Sequence, residues 1–120
     1  MNQYTYVIKH DPFGKQRPRF GHGRVYTPKE TVRYERFARL LYTGPKFEDG
    51  VSVTITAYFK EPRRCGLFPT KKPDADNIAK VILDALNGVA WDDDKQVVNL
   101  TVNKRWDKIA RVVVSVEDAE

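Results

Sequence analysis

Two short acidic segments contain the residues of this 120-residue chain that are best suited to chemistry. The first runs from Pro73 to Lys80 and contributes Asp74 and Asp76. The second runs from Trp91 to Lys95 and contributes three consecutive aspartates. Carboxylate oxygens are the ligands that Mg²⁺ prefers, and an ion held by several of them can activate water and stabilise a leaving phosphate oxygen. The two segments together favour metal-dependent hydrolysis of a phosphate ester.

Other catalytic patterns are missing from the sequence. It has no His/Cys spacing typical of zinc, no glycine-rich phosphate loop and no nucleophile elbow. The single cysteine, Cys65, fits a reducing compartment, and we interpret it as an incidental loop residue. Lys80 follows Asp76 by four positions, so on a helix the two share a face where a lysine can neutralise developing negative charge.

Each of these residues also has a purely structural interpretation. Asp74 could cap a helix, and Asp76 could favour the helix dipole. Lys80 could pair with Asp76 or Asp84, and the triple aspartate could form a charged turn. Taken singly, the aspartates favour these structural roles; taken together, between basic segments, they favour a site.

Basic residues concentrate in two polar segments, although the net charge of the chain is only +5. One segment lies between His10 and Arg24 and the other between Lys60 and Lys72, and each contains a single acidic residue. Basic flanks around an acidic centre indicate a polyanion held beside a cation site. We therefore predict DNA contacts at Lys15, Arg17, Arg19, Arg24, Arg63, Arg64, Lys71 and Lys72.

Hydrophobic periodicity predicts the element order β-α-β-α-β-β. A long exposed loop is expected from Asp11 to Tyr26, followed by a helix that Thr27 and Glu30 would open with a capping box. Alternating residues predict the strands, and helical spacing predicts apolar faces on both helices. The apolar positions are Tyr4, Tyr6 and Ile8; Tyr34, Phe37, Leu40 and Leu41; Val51, Val53, Ile55, Ala57 and Phe59; Ile78, Val81, Ile82, Ala85 and Leu86; Val98, Leu100 and Val102; and Val112, Val114 and Val116. The last two strands are expected to form a hairpin.

These elements predict a small, single mixed α/β domain of α+β type, with two helices packed on one mixed sheet. Exposed strand edges favour a homodimer. No stretch of about 18 apolar residues is present, so we expect no membrane partner and a cytoplasmic location. The helix that begins at Asp74 would be about 20 Å long, so Asp94 reaches Asp74 and Asp76 only if the next strand runs back along the helix or a second copy brings the segments together.

The motifs, in their order along the chain, resemble those of the RusA family of Holliday-junction resolvases. The resemblance covers essentially the whole chain, so that residues 1–120 would form one RusA-like endonuclease domain. It rests on Asp74-Ala75-Asp76-Asn77-Ile78-Ala79-Lys80, Asp84-Ala85-Leu86, Trp91-Asp92-Asp93-Asp94-Lys95-Gln96-Val97-Val98, Gly14-Lys15-Gln16-Arg17-Pro18-Arg19-Phe20 and Val25-Tyr26-Thr27-Pro28.

The resemblance implies a homodimeric, Mg²⁺-dependent endonuclease that resolves four-way DNA junctions by paired nicks in recombination and repair, with Mn²⁺ as a substitute ion. Phages and prophages commonly encode such proteins. By position, Asp74, Asp76 and Asp94 would be catalytic metal ligands and Lys80 the catalytic lysine, while Asp93 matches a neighbouring family acid that would be a further ligand. The alternative hypothesis is a branched-DNA-binding protein that has no catalysis or a broader specificity.

Overall fold

Two helices pack on one face of a four-stranded mixed sheet in the structure, a computed structural model that describes residues 2–120. This confirms the expected fold class. A short 3-10 helix, Asp94–Gln96, precedes the fifth strand. The strands and helices are β1 (Gln3–Ile8), β2 (Arg19–Gly21), β3 (Arg24–Tyr26), α1 (Lys29–Leu41), β4 (Val51–Lys60), α2 (Ala75–Leu86), β5 (Val97–Asp107) and β6 (Arg111–Asp118).

The sheet order is β1-β6-β4-β5, and β4 pairs with β5 in parallel and with β6 in antiparallel orientation. The expected hairpin between β5 and β6 is therefore wrong, because β4 lies between these two strands. The crossover through α2 places β5 parallel to β4, and β6 then adds to the other side of β4. The short connection between Asp107 and Arg111 resembles a hairpin turn in the sequence, although the strands it joins are not neighbours.

The helix α2 and the two central strands supply most of the core, as their periodicity predicts. Every predicted apolar position of α2, β4 and β6 is buried. The fully enclosed Trp91 adds to this core, and its indole nitrogen donates to the side chain of Asn87 at 2.7 Å. No helix in residues 2–120 is long and apolar enough to cross a membrane.

The apolar positions of β5 and α1 are less enclosed than predicted. Val98 and Leu100 are 60% and 45% exposed, because β5 is an edge strand and a register shift opposite Val51 displaces Val98 from the regular pairing. On α1, Tyr34 is buried, whereas Phe37 and Leu40 remain exposed together with Leu41. The side chains of Thr31, Tyr34 and Ala38 form the enclosed face instead.

The segment between β1 and α1 is more ordered than the expected loop. It contains the antiparallel pair β2 and β3, joined by His22 and Gly23, whose φ angles of 53° and 75° are those of a tight two-residue hairpin turn. The capping box expected at Thr27 is also wrong, since α1 begins at Lys29 with Pro28 in the cap position and no side-chain cap. The first turn is anchored instead by Thr31, whose hydroxyl donates to Gln16 Oε1 at 2.9 Å.

Candidate metal centre and nucleic-acid interface

Asp74 and Asp76 lie exposed at the beginning of α2. Asp74 occupies the cap position, but its side chain makes no cap hydrogen bond. Asp76 Oδ1 accepts only from the backbone nitrogen of the next residue, at 3.0 Å. The capping role that would explain Asp74 structurally is therefore not realised, and both carboxylates face solvent at the positive end of the helix dipole.

Lys80 lies one turn after Asp76 and is exposed. Within residues 2–120 the ion pairs do not include Lys80, so the alternative structural role, pairing with Asp76 or Asp84, is not observed there. An exposed ammonium on the helix face of Asp76 can meet an anionic ligand.

The triple aspartate after α2 divides into three different environments. Asp92 pairs with Lys46 at 2.7 Å. Asp93 caps the short 3-10 helix, because its side chain accepts a hydrogen bond from the backbone nitrogen of Asp94. The backbone nitrogen of Asp93 in turn donates to the side-chain oxygen of Gln96. Of the three, Asp94 is the half-buried residue, and it has neither the lysine partner of Asp92 nor the capping role of Asp93.

The environment of Asp94 disfavours its charged form. Burial raises the pKa of the Asp94 carboxyl, and the nearby carboxylates of Asp93 and Asp84 raise it further. A bound cation would relieve both effects, because it compensates the lost hydration and the repulsion between like charges. A carboxyl group whose pKa is raised in this way is typical of functional sites, although structural clusters of charged residues show it as well.

The acidic side chains form two clusters at opposite ends of α2, one with Asp74 and Asp76 and the other with Asp84 and Asp94. Lys71 lies just before the helix, and its ammonium is 5.6 Å from the ring centre of Trp106, near the end of β5. Gln96 lies just after Asp94, and its side-chain amide donates to the backbone oxygens of Phe47 and Asp49, near the beginning of β4. A 12-residue helix spans about 18 Å. In the described part of the chain, no three acidic, histidine or cysteine side chains lie close enough to hold one metal ion. One chain therefore places Asp74 with Asp76, and Asp94 with Asp84, but does not join the two groups.

A cleft of about 610 Å³ opens beside Asp74, between residues 12–17 and 72–77. The two walls meet closely: Lys15 donates its backbone N–H to Asn77 at 2.9 Å, and a Cβ on Gly14 would lie 2.7 Å from Pro73 Cβ. Arg17 and Lys72 line this cleft and are exposed. We call it the Asp74 cleft. It places basic residues of both basic segments beside Asp74, and of these Arg17 and Lys72 are the exposed ones.

The remaining predicted DNA contacts lie on exposed segments outside the cleft. Arg19 and Arg24 lie on the β2–β3 hairpin, and Arg63 and Arg64 lie between β4 and α2. Lys71 is exposed although it also lies over the Phe59 ring. Apart from Lys15, no residue in our predicted DNA-contact set forms an ion pair within residues 2–120.

Lys15 has a different environment from the other predicted DNA contacts. Its ammonium lies 2.7 Å from Glu35 Oε2 on α1 and 3.1 Å from Asp84 Oδ2 on α2, and its side chain is only 17% exposed. Burial acts to lower the pKa of Lys15, but hydrogen bonds to Glu35 and Asp84 outweigh it and leave the pKa raised. We therefore interpret Lys15 as a residue that positions the wall of the cleft. No sequence pattern identified Glu35 and Asp84 as partners of Lys15, because they lie on two different helices.

Similarity to known proteins extends over nearly the whole chain. The family model of the endodeoxyribonuclease RusA matches residues 9–117, which include every acidic and basic residue of the two groups and the cleft. The chain is 30% identical over 139 aligned positions to an uncharacterized protein of Bacillus subtilis strain 168, YqaN, and the alignment covers 98% of each protein. It is also 30% identical over 102 positions to the crossover junction endodeoxyribonuclease of Lactococcus phage r1t, with 79% of this chain and 78% of the phage protein covered.

Proposed function

Since the chain belongs to the RusA family of endodeoxyribonucleases, we propose that it resolves four-way DNA junctions by Mg²⁺-dependent paired nicks. The observation that carries this proposal is the Asp74 cleft, where exposed Arg17 and Lys72 flank a carboxylate that makes no helix cap. Basic side chains of this kind hold a phosphate backbone in register. The carboxylates then lie where a scissile phosphate would be held.

The donor set fits Mg²⁺, and Mn²⁺ as a substitute, because all of its atoms are carboxylate oxygens. Asp74, Asp76 and Asp94 would hold the ion, with Asp93 a weaker candidate because it already caps the 3-10 helix. When bound, the ion would activate a water molecule and stabilise the leaving oxygen. Lys80, on the helix face of Asp76, would place positive charge beside the phosphate as its negative charge develops.

We further propose that the protein acts as a homodimer, because one chain alone leaves Asp94 at the far end of α2. A two-fold axis across α2 would align two copies of the helix in opposite directions. The Asp94 end of one protomer would then lie beside the Asp74 end of the other. The exposed β5 edge, with Val98 and Leu100, supports an interface on this side, since α2 packs near β5. A four-way junction has approximate two-fold symmetry and would meet two equivalent sites.

The proposed activity is tested by incubating a synthetic four-way junction and a linear duplex with Mg²⁺, Mn²⁺ or EDTA. We expect metal-dependent paired nicks in the junction alone. Asp76→Asn should retain junction binding in EDTA and lose nicking, whereas Asp92→Asn, which removes only an exposed partner of Lys46, should still nick. Binding without cutting in either metal would favour a non-catalytic protein, and equal cutting of flaps and forks would favour a broader specificity.

The dimeric site is tested by mixing two variants that are each expected to be inactive, Asp74→Asn and Asp94→Asn, after unfolding and refolding them together. If each site takes residues from both protomers, the mixed dimer contains one intact site and one doubly altered site. It should therefore nick one strand of the junction. If each site forms within one chain, every site in the mixture carries a substitution and no nicking returns, which would refute the shared site while leaving the proposed activity intact.

A further inference from the structure

A second groove lies at the same end of the sheet as the Asp74 cleft but outside it. Its volume is about 1060 Å³, and it runs between the end of β1 and the turn that joins β5 to β6. The side chains that line it include Lys9, Lys60 and Lys108, all of them exposed. We call it the Lys60 groove. None of its three lysines belongs to the DNA-contact set predicted from the sequence.

The charge of the Lys60 groove is predominantly positive. Arg111 and Asp107 also line it, but they form an ion pair of 2.8 Å with each other, and Arg111 lies over the Tyr58 ring. Asp11 is the remaining acidic residue of the lining. The three lysines form no ion pair within the part of the chain that the structure describes. Three exposed lysines against one carboxylate attract a polyanion rather than a neutral or cationic ligand.

A smaller cleft of about 280 Å³ lies between the Lys60 groove and the Asp74 cleft. It shares Lys60 and Ala110 with the groove on one side and shares Lys72 and Pro73 with the Asp74 cleft on the other. Lys71 also lines it. The three depressions therefore adjoin one another, and lysines line each of them.

The position of Lys60 argues against a purely protective role for these charges. Lysines commonly protect exposed sheet edges against aggregation. Lys60, however, ends β4, which has a hydrogen-bonded neighbour on each side. A lysine at the end of a central strand protects no free edge, so its charge is explained better by a ligand that crosses the end of the sheet.

We propose that the Lys60 groove holds the phosphate backbone of a double-stranded DNA arm that continues from the Asp74 cleft. This inference rests on the proposed function and adds the path of the substrate to it. A branched substrate with long arms would contact both the cleft and the groove, whereas a substrate with short arms would contact the cleft alone. The groove would thus add affinity for long arms without contributing to the chemistry.

The experiment compares the wild-type protein with Lys60→Gln/Lys108→Gln in EDTA, where no cutting occurs. Binding of a long-armed and a short-armed four-way junction is measured as a function of salt concentration. Each phosphate contact contributes about 0.9 to the magnitude of the slope of log affinity against log salt. Loss of both lysines should therefore reduce the slope for the long-armed junction by about 2 for each protomer that holds an arm, and by about 4 for the proposed dimer. The slope for the short-armed junction should change much less.

The matched control is Lys60→Arg/Lys108→Arg, which keeps both charges and should keep the wild-type slope. An unchanged slope in the glutamine variant would refute the groove path. An equal loss of slope for long and short arms would also refute it, since the lysines would then act at the cleft. Neither result affects the nicking assay of the wild-type protein, so failure of this inference is distinguishable from failure of the proposed function.

Discussion

Replacing Lys15 with methionine should lower the free energy of unfolding by about 1 to 3 kcal/mol. The ammonium makes two charge-assisted contacts, at 2.7 Å to Glu35 and 3.1 Å to Asp84. A broken ion pair costs about 0 to 1 kcal/mol when exposed and about 3 to 5 kcal/mol when buried. The three side chains are 17%, 17% and 30% exposed, so the expected loss lies between these limits.

A second ion pair of this protein provides the control. Lys46 and Asp92 are also 2.7 Å apart, but their side chains are 50% and 80% exposed. Lys46→Met should therefore destabilise the protein less than Lys15→Met, although the pair is as short as the one between Lys15 and Glu35. Both variants are measured by urea unfolding at neutral pH, followed by circular dichroism, at one salt concentration.

The cost of Lys15→Met should reside largely in the two carboxylates that it leaves unpaired. Neutralising them in the same chain, with Glu35→Gln and Asp84→Asn, should recover part of the lost stability. Equal losses for Lys15→Met and Lys46→Met would refute the claim that burial strengthens the Lys15 bridge. A full loss with no recovery on neutralisation would show that packing of the lysine stem, and not its charge, stabilises this segment.

Two further predictions concern the two ends of α2. Asp94→Asn should stabilise the protein at pH 7, because burial and two neighbouring aspartates raise the pKa of this carboxyl, so that its charged form weakens the fold. The gain in stability should be absent below the ordinary aspartate pKa of about 4 and should develop as the pH rises through the raised pKa of Asp94. Thermal unfolding that shows equal gains at low and neutral pH would contradict this cause. Gly14→Ala should weaken DNA binding in EDTA while the protein stays folded, since the new Cβ would lie 2.7 Å from Pro73 Cβ and separate the walls of the Asp74 cleft. Gly66→Ala, which has open space at the corresponding position, serves as its control, and equal DNA binding by the two variants would show that the close approach at Gly14 is unimportant.

The helix α2 shows how much local sequence determines. Its apolar positions recur at helical spacing, and the structure buries each of them. The same spacing places Lys80 on the face of Asp76, because residues four positions apart on a helix are neighbours whatever the helix packs against. The strands β4 and β6 were predictable for a similar reason, since side chains alternate between the two faces of any strand.

The order of the strands in the sheet could not be predicted from the sequence. The sequence predicted a hairpin from the short connection between β5 and β6, and the structure places β4 between them. Alternation within a strand indicates which side chains are buried but not which strand lies alongside. The exposure of Val98 and Leu100 was not predicted for the same reason, because whether a strand lies at the edge of the sheet depends on the strand order.

The candidate site divides in the same way. Asp74, Asp76 and Lys80 could be placed together at the beginning of one helix from the sequence, since they lie within about two helical turns. The sequence left open where Asp94 lies, and the parallel pairing of β4 with β5 places that residue at the far end of α2. It also could not distinguish Lys15 from its basic neighbours. The partners of Lys15 lie on two helices that only the folded chain brings together, because ion pairing depends on distance in space and not on distance along the chain.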